Sequence, residues 1–347
     1  MRPTLTAILA LALAASPAAA GVVRTVEARL EGNVAFADGA VRVAGKAVPW
    51  TDVVYVIGDP EVRTVGPPEA VLTVDDQVWR GEVLRLSADR LTVHLPLFGE
   101  REVPLDRIAV IQFTPPPGSP SLVLVAAPRP PSPGTLLRHE GEPLPGTLLW
   151  IDGRRLALDS PLGAVTLDRD GCLAYVFRRD GGKAAAEDGK DRLTLVNGTV
   201  LLGKATVGDG AVRLAHKAFG RVEIDGDLVR RLARHDPRVR RLEFGGVRAP
   251  FRREIAVPRE PGRPAEFVAR LGPLPGARGD ARVRLAVGDT VLLEREVGPD
   301  DDPVAVREPL PPQGKLSVTV AYGKRIGFPC GVRVEDAMCI VAEPDAR

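Results

Sequence analysis

The chain has 347 residues, of which 44% are hydrophobic and only 4% aromatic, and its formal net charge is +2. At roughly 100 to 200 residues per domain, this length predicts two to four domains. The near-neutral charge excludes a strong overall field that would select nucleic acid or an acidic surface. The apolar residues are mainly Val, Leu and Ala, which favours several small β cores over one large core.

The first twenty residues are typical of a secretory signal peptide. Arg2 supplies a positive start, residues 5–15 form an apolar stretch, and residues 18–20 form a small-residue cleavage site. The apolar stretch ends at Ser16-Pro17, short of the roughly 20 residues that a membrane span needs. We therefore expect a secreted or periplasmic protein with no transmembrane anchor.

A repeated pattern follows the signal peptide. Copies at residues 67–116, 134–180 and 191–236 each contain a glycine, alternating apolar runs joined by polar turns, and a V-x-[LI]-D step into a last apolar run. A shortened copy at residues 21–66 ends in the related V-P-W-T-D-V-V-Y-V-I. Short alternating runs predict β-strands, and a fixed repeat predicts units that cannot bury their apolar faces alone.

The size of the copies suggests two arrangements. About 40 residues with four or five short strands resembles a small SH3-like or Sm-like unit, which predicts tandem small β-barrel-like repeats. Alternatively, paired copies share one sandwich, and periodicity does not distinguish the two. A Pro-rich linker at residues 117–133 and a Gly-rich hinge at residues 181–190 separate the copies.

The V-x-[LI]-D step places Asp106, Asp168 and Asp225 at the end of a predicted strand, with Asp52 near this place in the shortened copy. A catalytic role is one interpretation. A structural role is favoured, because Asp at such a place accepts hydrogen bonds from the backbone N–H groups that follow. No G-x-S-x-G, H-E-x-x-H or P-loop motif occurs in the sequence. We predict no catalytic residues, no cofactor and no enzyme activity, and an unrecognised hydrolase is a remote alternative.

Cysteine and histidine spacing predicts no metal site, because no pair has the separation of zinc ligands. Cys330 and Cys339 are candidates for a disulfide. If a turn falls near Glu335 and Asp336, the two thiols would face each other across a hairpin. Cys172 is expected to be a core residue of its copy.

Residues 228–253 contain nine arginines. They form either a docking surface for an anionic envelope polymer or a connector whose arginines pair with nearby acids, and the connector is favoured. Nucleic acid is not an expected ligand, because few aromatic residues interleave with the arginines.

The C-terminal part, residues 237–347, carries the motifs of a known module. They are F-V-A-R-L-G at residues 267–272, the alternating strand at 283–287 with the turn Gly288-Asp289, K-L-S-V-T-V at 315–320, and a closing V-x-x-E-D-A from Val332. These segments resemble the C-terminal half of the NPCBM carbohydrate-binding module, first named from glycoside hydrolase family 98 proteins. The resemblance implies a galactose-binding-like jelly roll with a sugar ligand.

Within this module, the segment A-Y-G-K-R-I-G at residues 321–327 combines an aromatic ring with two cations. Sugar sites ordinarily combine aromatic surfaces with convergent polar groups, so Tyr322, Lys324 and Arg325 are the candidate ligand-binding residues. The predicted chain is an all-β, non-catalytic protein that binds carbohydrate or another envelope polymer. The alternative is an interaction scaffold that holds envelope proteins and binds no glycan.

Overall fold

The computed structural model describes residues 21–58, 69–87, 89–113, 132–177, 189–242, 244–256, 263–325 and 327–342. Apart from short 3-10 helices, the regular elements in these ranges are β-strands, so the all-β prediction is confirmed. The described ranges contain no helix with the length and apolar character needed to cross a membrane. The signal peptide predicted at residues 1–20 and most of both predicted linkers lie outside the described residues.

The chain divides into two compact units, the first ending at His235 and the second beginning at Asp236. The strands of the first unit are β1 (Gly21–Thr25), β2 (Arg29–Gly32), β3 (Val34–Ala37), β4 (Ala40–Val43), β5 (Lys46–Pro49), β6 (Val53–Ile57), β7 (Ala70–Thr73), β8 (Val78–Arg80), β9 (Glu82–Ser87), β10 (Arg90–Leu95), β11 (Gly99–Pro104), β12 (Ile108–Gln112), β13 (Thr135–Arg138), β14 (Leu144–Pro145), β15 (Thr147–Ile151), β16 (Arg155–Ser160), β17 (Gly163–Asp168), β18 (Cys172–Val176), β19 (Asp191–Leu195), β20 (Val200–Val207), β21 (Ala211–His216), β22 (Gly220–Asp225) and β23 (Val229–Ala233). The 3-10 helices are Trp50–Asp52, Leu105–Arg107, Arg169–Gly171 and Gly226–Leu228.

All four copies follow one plan. A first strand pairs antiparallel with the last strand of the same copy, as β1 does with β6, β7 with β12, β13 with β18 and β19 with β23. Between them lies a meander of antiparallel strands, and a 3-10 helix leads from the meander into the last strand. The copy at residues 21–66 follows the same plan and contains its own meander, β3 to β5.

The copies associate as nested pairs. The last strand of the second copy pairs with that of the third, where Ile111 is opposite Tyr175. The last strand of the first copy pairs with that of the fourth, where Val56 is opposite Leu232. A contact between β8 and β20 joins these strands into one large sheet. Of the two arrangements that periodicity left open, the shared sheet is the one observed.

Three of the four meanders form further sheets, whereas β21 and β22 of the fourth copy stay in the large sheet. Strands β9 to β11 of the second copy and β15 to β17 of the third make one six-stranded sheet, and β3 to β5 make a separate three-stranded sheet. Buried side chains from the six-stranded sheet, such as Leu91 and Leu156, belong to the same core as Ile108 and Leu136 of the large sheet. Paired copies therefore bury their apolar faces together.

The second unit is a two-sheet structure. Its strands are β24 (Val239–Arg241), β25 (Gly245–Arg248), β26 (Phe251–Ala256), β27 (Ala265–Pro273), β28 (Ala281–Val287), β29 (Thr290–Val297), β30 (Val304–Leu310), β31 (Lys315–Tyr322) and β32 (Gly331–Val341). One sheet contains β24, β25, β27, β30 and β32, and the other contains β26, β28, β29 and β31. Phe267 and Val332 of the first sheet share a core with Val283 and Val318 of the second. This jelly-roll-like packing agrees with the predicted fold class.

The disulfide prediction is wrong, because the expected hairpin does not form. β32 runs as one strand from Gly331 to Val341, with Asp336 at a positive φ of 54° where its register against β27 shifts. At roughly 3.3 Å per residue, Cys330 and Cys339 are separated by tens of ångströms along this strand, far beyond disulfide reach. Both are buried, and neither forms a disulfide. Cys172 is also buried in the core, and burial raises the pKa of its thiol to about 11.

Candidate functional site

The three predicted ligand-binding residues lie at one edge of the second unit. Tyr322 ends β31, where it is opposite Ala281, and Lys324 and Arg325 follow in the next loop. All three are exposed to solvent, and the Tyr322 side chain keeps 41% of its surface accessible. The structure therefore brings them together on an open surface.

The sequence interpretation missed a second aromatic residue at this surface. Phe328 is 66% exposed, and its ring lies edge-on to that of Tyr322 with 5.7 Å between the ring centroids. Adjoining exposed apolar side chains mark interaction sites more often than single scattered ones do, so this aromatic pair is a candidate interaction surface. Alternation in the sequence gave no signal for Phe328, because it lies in a loop.

Two carboxylates position the cations beside the aromatic pair. Glu296 accepts a hydrogen bond from the backbone N–H of Lys324 at 2.5 Å, and its other oxygen lies 3.8 Å from Lys324 Nζ. Asp280 accepts from the Arg325 backbone N–H at 3.0 Å and lies 3.3 Å from Arg325 Nε. Both cationic side chains remain more than half exposed. The two carboxylates keep Lys324 and Arg325 at this surface, and N–H donors of both side chains remain directed to solvent.

The loop that carries these residues is held close to residues 278–280. The Asp280 carbonyl accepts hydrogen bonds from Gly323 N and from the Cys330 thiol, each at 2.8 Å, and Asp280 N donates to Arg325 O at 2.8 Å. A Cβ on Gly323 would lie 2.7 Å from Glu296 Oε1 and from Asp280 Cβ. Gly323 is therefore required by close packing, and the loop is fixed at both ends.

We define the aromatic edge as Tyr322, Lys324, Arg325 and Phe328 with the supporting carboxylates Asp280 and Glu296. It offers two ring surfaces, cationic donors and carboxylate acceptors on one open face. This combination suits a polyhydroxylated ligand that stacks its C–H groups on a ring and exchanges hydrogen bonds through its hydroxyls.

The repeated aspartates do not form a site. Asp168 and Asp225 lie directly before their 3-10 helices, whereas Asp106 lies inside its own, so the three do not share one structural position. Asp225 accepts a hydrogen bond from Asp227 N at 3.1 Å, the capping role favoured for these residues. All three are exposed and belong to different copies. No cluster of three metal-binding side chains occurs within the described ranges.

The arginine-rich segment at residues 228–253 makes local contacts. Arg238 pairs with Asp236 at 2.8 Å, Arg252 pairs with Glu254 at 3.1 Å, and Arg253 lies over the Phe244 ring at 5.7 Å. These contacts agree with the interpretation as a connector paired with its neighbours.

Comparison with known proteins does not assign the chain to a family. No protein-family model and no curated protein matches the chain. Among solved structures, the chain is similar to the insecticidal delta-endotoxin Cry8Ea1 from Bacillus thuringiensis, with 11% identity and a TM-score of 0.23. The match covers 94% of this chain and 52% of that protein, so the chain spans about half the length of that structure. A likeness of this size supports neither a shared fold nor a shared function.

Proposed function

We propose that the chain is an exported, non-catalytic binding protein whose second unit binds carbohydrate at the aromatic edge. The observation that carries this proposal is the exposed ring pair of Tyr322 and Phe328. Sugar rings present apolar C–H faces, and aromatic side chains recover free energy when they cover those faces. The NPCBM resemblance of residues 237–347 supports the same ligand class.

The polar residues beside the rings supply orientation. Lys324 and Arg325 donate to hydroxyl or ring oxygens, while Asp280 and Glu296 accept from hydroxyl groups. Because Asp280 and Glu296 are already held by backbone N–H groups, these two carboxylates lose little side-chain freedom on binding. A shallow open surface of this kind favours an extended glycan over an enclosed small molecule.

A glycan array with the whole protein, followed by calorimetry on the best glycan, tests this proposal. Tyr322→Ala and Phe328→Ala should each weaken binding by about tenfold or more, because each removes a stacking surface. Val291→Ala is the matched control, since Val291 is an apolar side chain on the same unit with 42% exposure. Thermal unfolding confirms that the variants fold. The proposal fails when no glycan binds, or when both aromatic variants bind as tightly as the Val291 control.

An interaction scaffold is the second candidate function. The third copy exposes Leu149, Trp150 and Leu162 at 45%, 36% and 94% of their surfaces. Apolar side chains in such positions are typical of protein contacts. A stable envelope partner that is retained by the wild type and lost in Trp150→Ser, together with a negative glycan array, would favour the scaffold.

A further inference from the structure

Two adjoining open cavities lie in the first unit, the smaller where the second copy meets the fourth and the larger on the fourth copy itself. Their volumes are about 380 Å³ and 430 Å³, and both are lined by Lys190, His216 and Lys217. The contact of Val78 with Val200, which joins the two pairs of copies, belongs to the same junction. Small-molecule sites in proteins occupy roughly 300 to 1,000 Å³, so each cavity has the size of a ligand site.

The wall of the smaller cavity is a chain of buried hydrogen bonds. His216 Nδ1 accepts from the backbone N–H groups of Ala218 and Phe219 at 3.1 Å, so the ring proton is on Nε2, which lies 2.7 Å from Gln77 Oε1. Gln77 Nε2 donates to Asp75 at 3.0 Å. His216 and Gln77 are 4% and 5% exposed. This wall is rigid and its imidazole is neutral, since burial lowers the pKa of His216 to about 4.

The charged groups around the cavities are mostly cations. They are the side chains of Arg107, Lys190, Lys204, Lys217 and Arg221. Within the described part of the chain, none of these five has a carboxylate oxygen within 4 Å. The lining carboxylates are Asp75 and Asp106, and Asp75 already accepts from Thr73 Oγ1 at 2.6 Å. Among the described residues, five lining cations against two lining carboxylates give the paired cavities a positive charge.

We propose that the paired cavities bind an anionic sugar of monosaccharide size, with its carboxylate or sulfate group on Lys190 and Lys217. Lining cations without a carboxylate oxygen within 4 Å in the described part of the chain favour an anion through charge-assisted hydrogen bonds. Asp75 and Asp106 in the same lining disfavour a bare anion and favour a ligand that also has hydroxyl donors. The cavity volume is also larger than an inorganic anion needs. This site is independent of the aromatic edge.

Calorimetric titration of the whole protein with four probes tests the inference: glucuronate, glucose 6-sulfate, glucose and inorganic sulfate. Glucuronate or glucose 6-sulfate should bind at least about tenfold more tightly than glucose or sulfate. The first two probes distinguish a carboxylate from a sulfate as the anionic group. Equal binding of glucose would overturn the role of charge, and equal binding of inorganic sulfate would overturn the role of the sugar.

Variants locate the binding. The double variant Lys190→Gln and Lys217→Gln should weaken binding of the charged sugar by about tenfold or more, and Lys46→Gln, an exposed lysine outside both linings, should not change it. Tyr322→Ala should also leave it unchanged, so that failure at the aromatic edge is distinguishable from failure here. Undiminished binding in a double variant that unfolds at the wild-type temperature would refute the site, as would the absence of binding by both charged sugars.

Discussion

His216 shows how a single residue takes its chemistry from the fold. In the sequence it is one of four scattered histidines without ligand spacing. In the structure its ring stacks on Phe219, with 4.4 Å between centroids, and both ring nitrogens have hydrogen-bond partners. The contact of Nε2 with Gln77 joins residues of two copies, and no local pattern in the sequence identifies it. Phe328 was missed for a similar reason, since a loop conformation brings its ring to that of Tyr322.

Stability should therefore depend on the protonation of His216. Burial lowers its pKa from an ordinary 6.5 to about 4, with Asp75 opposing and Lys190 reinforcing the change. Between these two pKa values the unfolded chain binds more protons than the folded protein. The stability that depends on a neutral His216 is therefore present in full above about pH 6.5 and is lost as the pH falls towards 4. The free energy of unfolding should drop by about 2 kcal/mol between pH 7 and 4.5 from this group.

Urea denaturation followed by tryptophan fluorescence measures this effect, because the three tryptophans all lie in the first unit. His216→Gln should lack this part of the pH dependence, whereas His139→Gln, at an exposed position, should keep it. Identical pH dependence in the wild type and His216→Gln would contradict the explanation.

At the scale of the element, a glycine lies where the meander begins in three of the four copies. Gly81 lies between β8 and β9, Gly146 between β14 and β15, and Gly203 within β20. A Cβ at Gly146 or Gly203 would lie 2.5 Å from the carbonyl oxygen of Asp159 or Ala215, and one at Gly81 would meet that of His94. The repeated glycine was visible in the sequence, but its cause is a backbone approach that only the folded copy reveals.

Gly203→Ala should therefore destabilise the first unit by about 2 to 3 kcal/mol, because the added methyl group has to displace a strand carbonyl and Leu214. Gly153→Ala is the matched control, since a Cβ there meets nothing within 4 Å. The midpoint of urea denaturation provides the comparison. Equal midpoints for the two variants would show that the close backbone approach at Gly203 tolerates a side chain.

At the scale of the whole molecule, each unit has its own core. The larger core draws its buried residues from Val23 to Leu232, and the core of the second unit draws its own from Val247 to Val341. Apolar periodicity predicted strands in both regions and the all-β class. It did not predict which copies pair, because pairing depends on contacts between distant strand edges. Nor did it predict that β32 continues through Asp336, where a bulge replaces the expected turn.

Separate expression of residues 21–235 and 236–347 should give two folded fragments. In the intact chain, tryptophan fluorescence reports only the first unit, whereas circular dichroism in the far ultraviolet reports both. Each fragment should unfold at the temperature of its transition in the intact protein, because each unit has its own hydrophobic core. A fragment of residues 236–347 that is unfolded while the intact chain retains all of its strand signal would contradict this division.

The nested pairing of the copies also affects how the protein is made. During synthesis the second and third copies can associate as soon as both have emerged, but β6 of the first copy has to wait for β23 of the fourth. Until then β6 has an unpaired edge and exposed apolar side chains, the condition under which nascent chains aggregate or recruit chaperones. Adding or deleting a single copy would therefore leave the last strand of one copy without its partner strand. The copies would have to be gained or lost together with the copy they pair with.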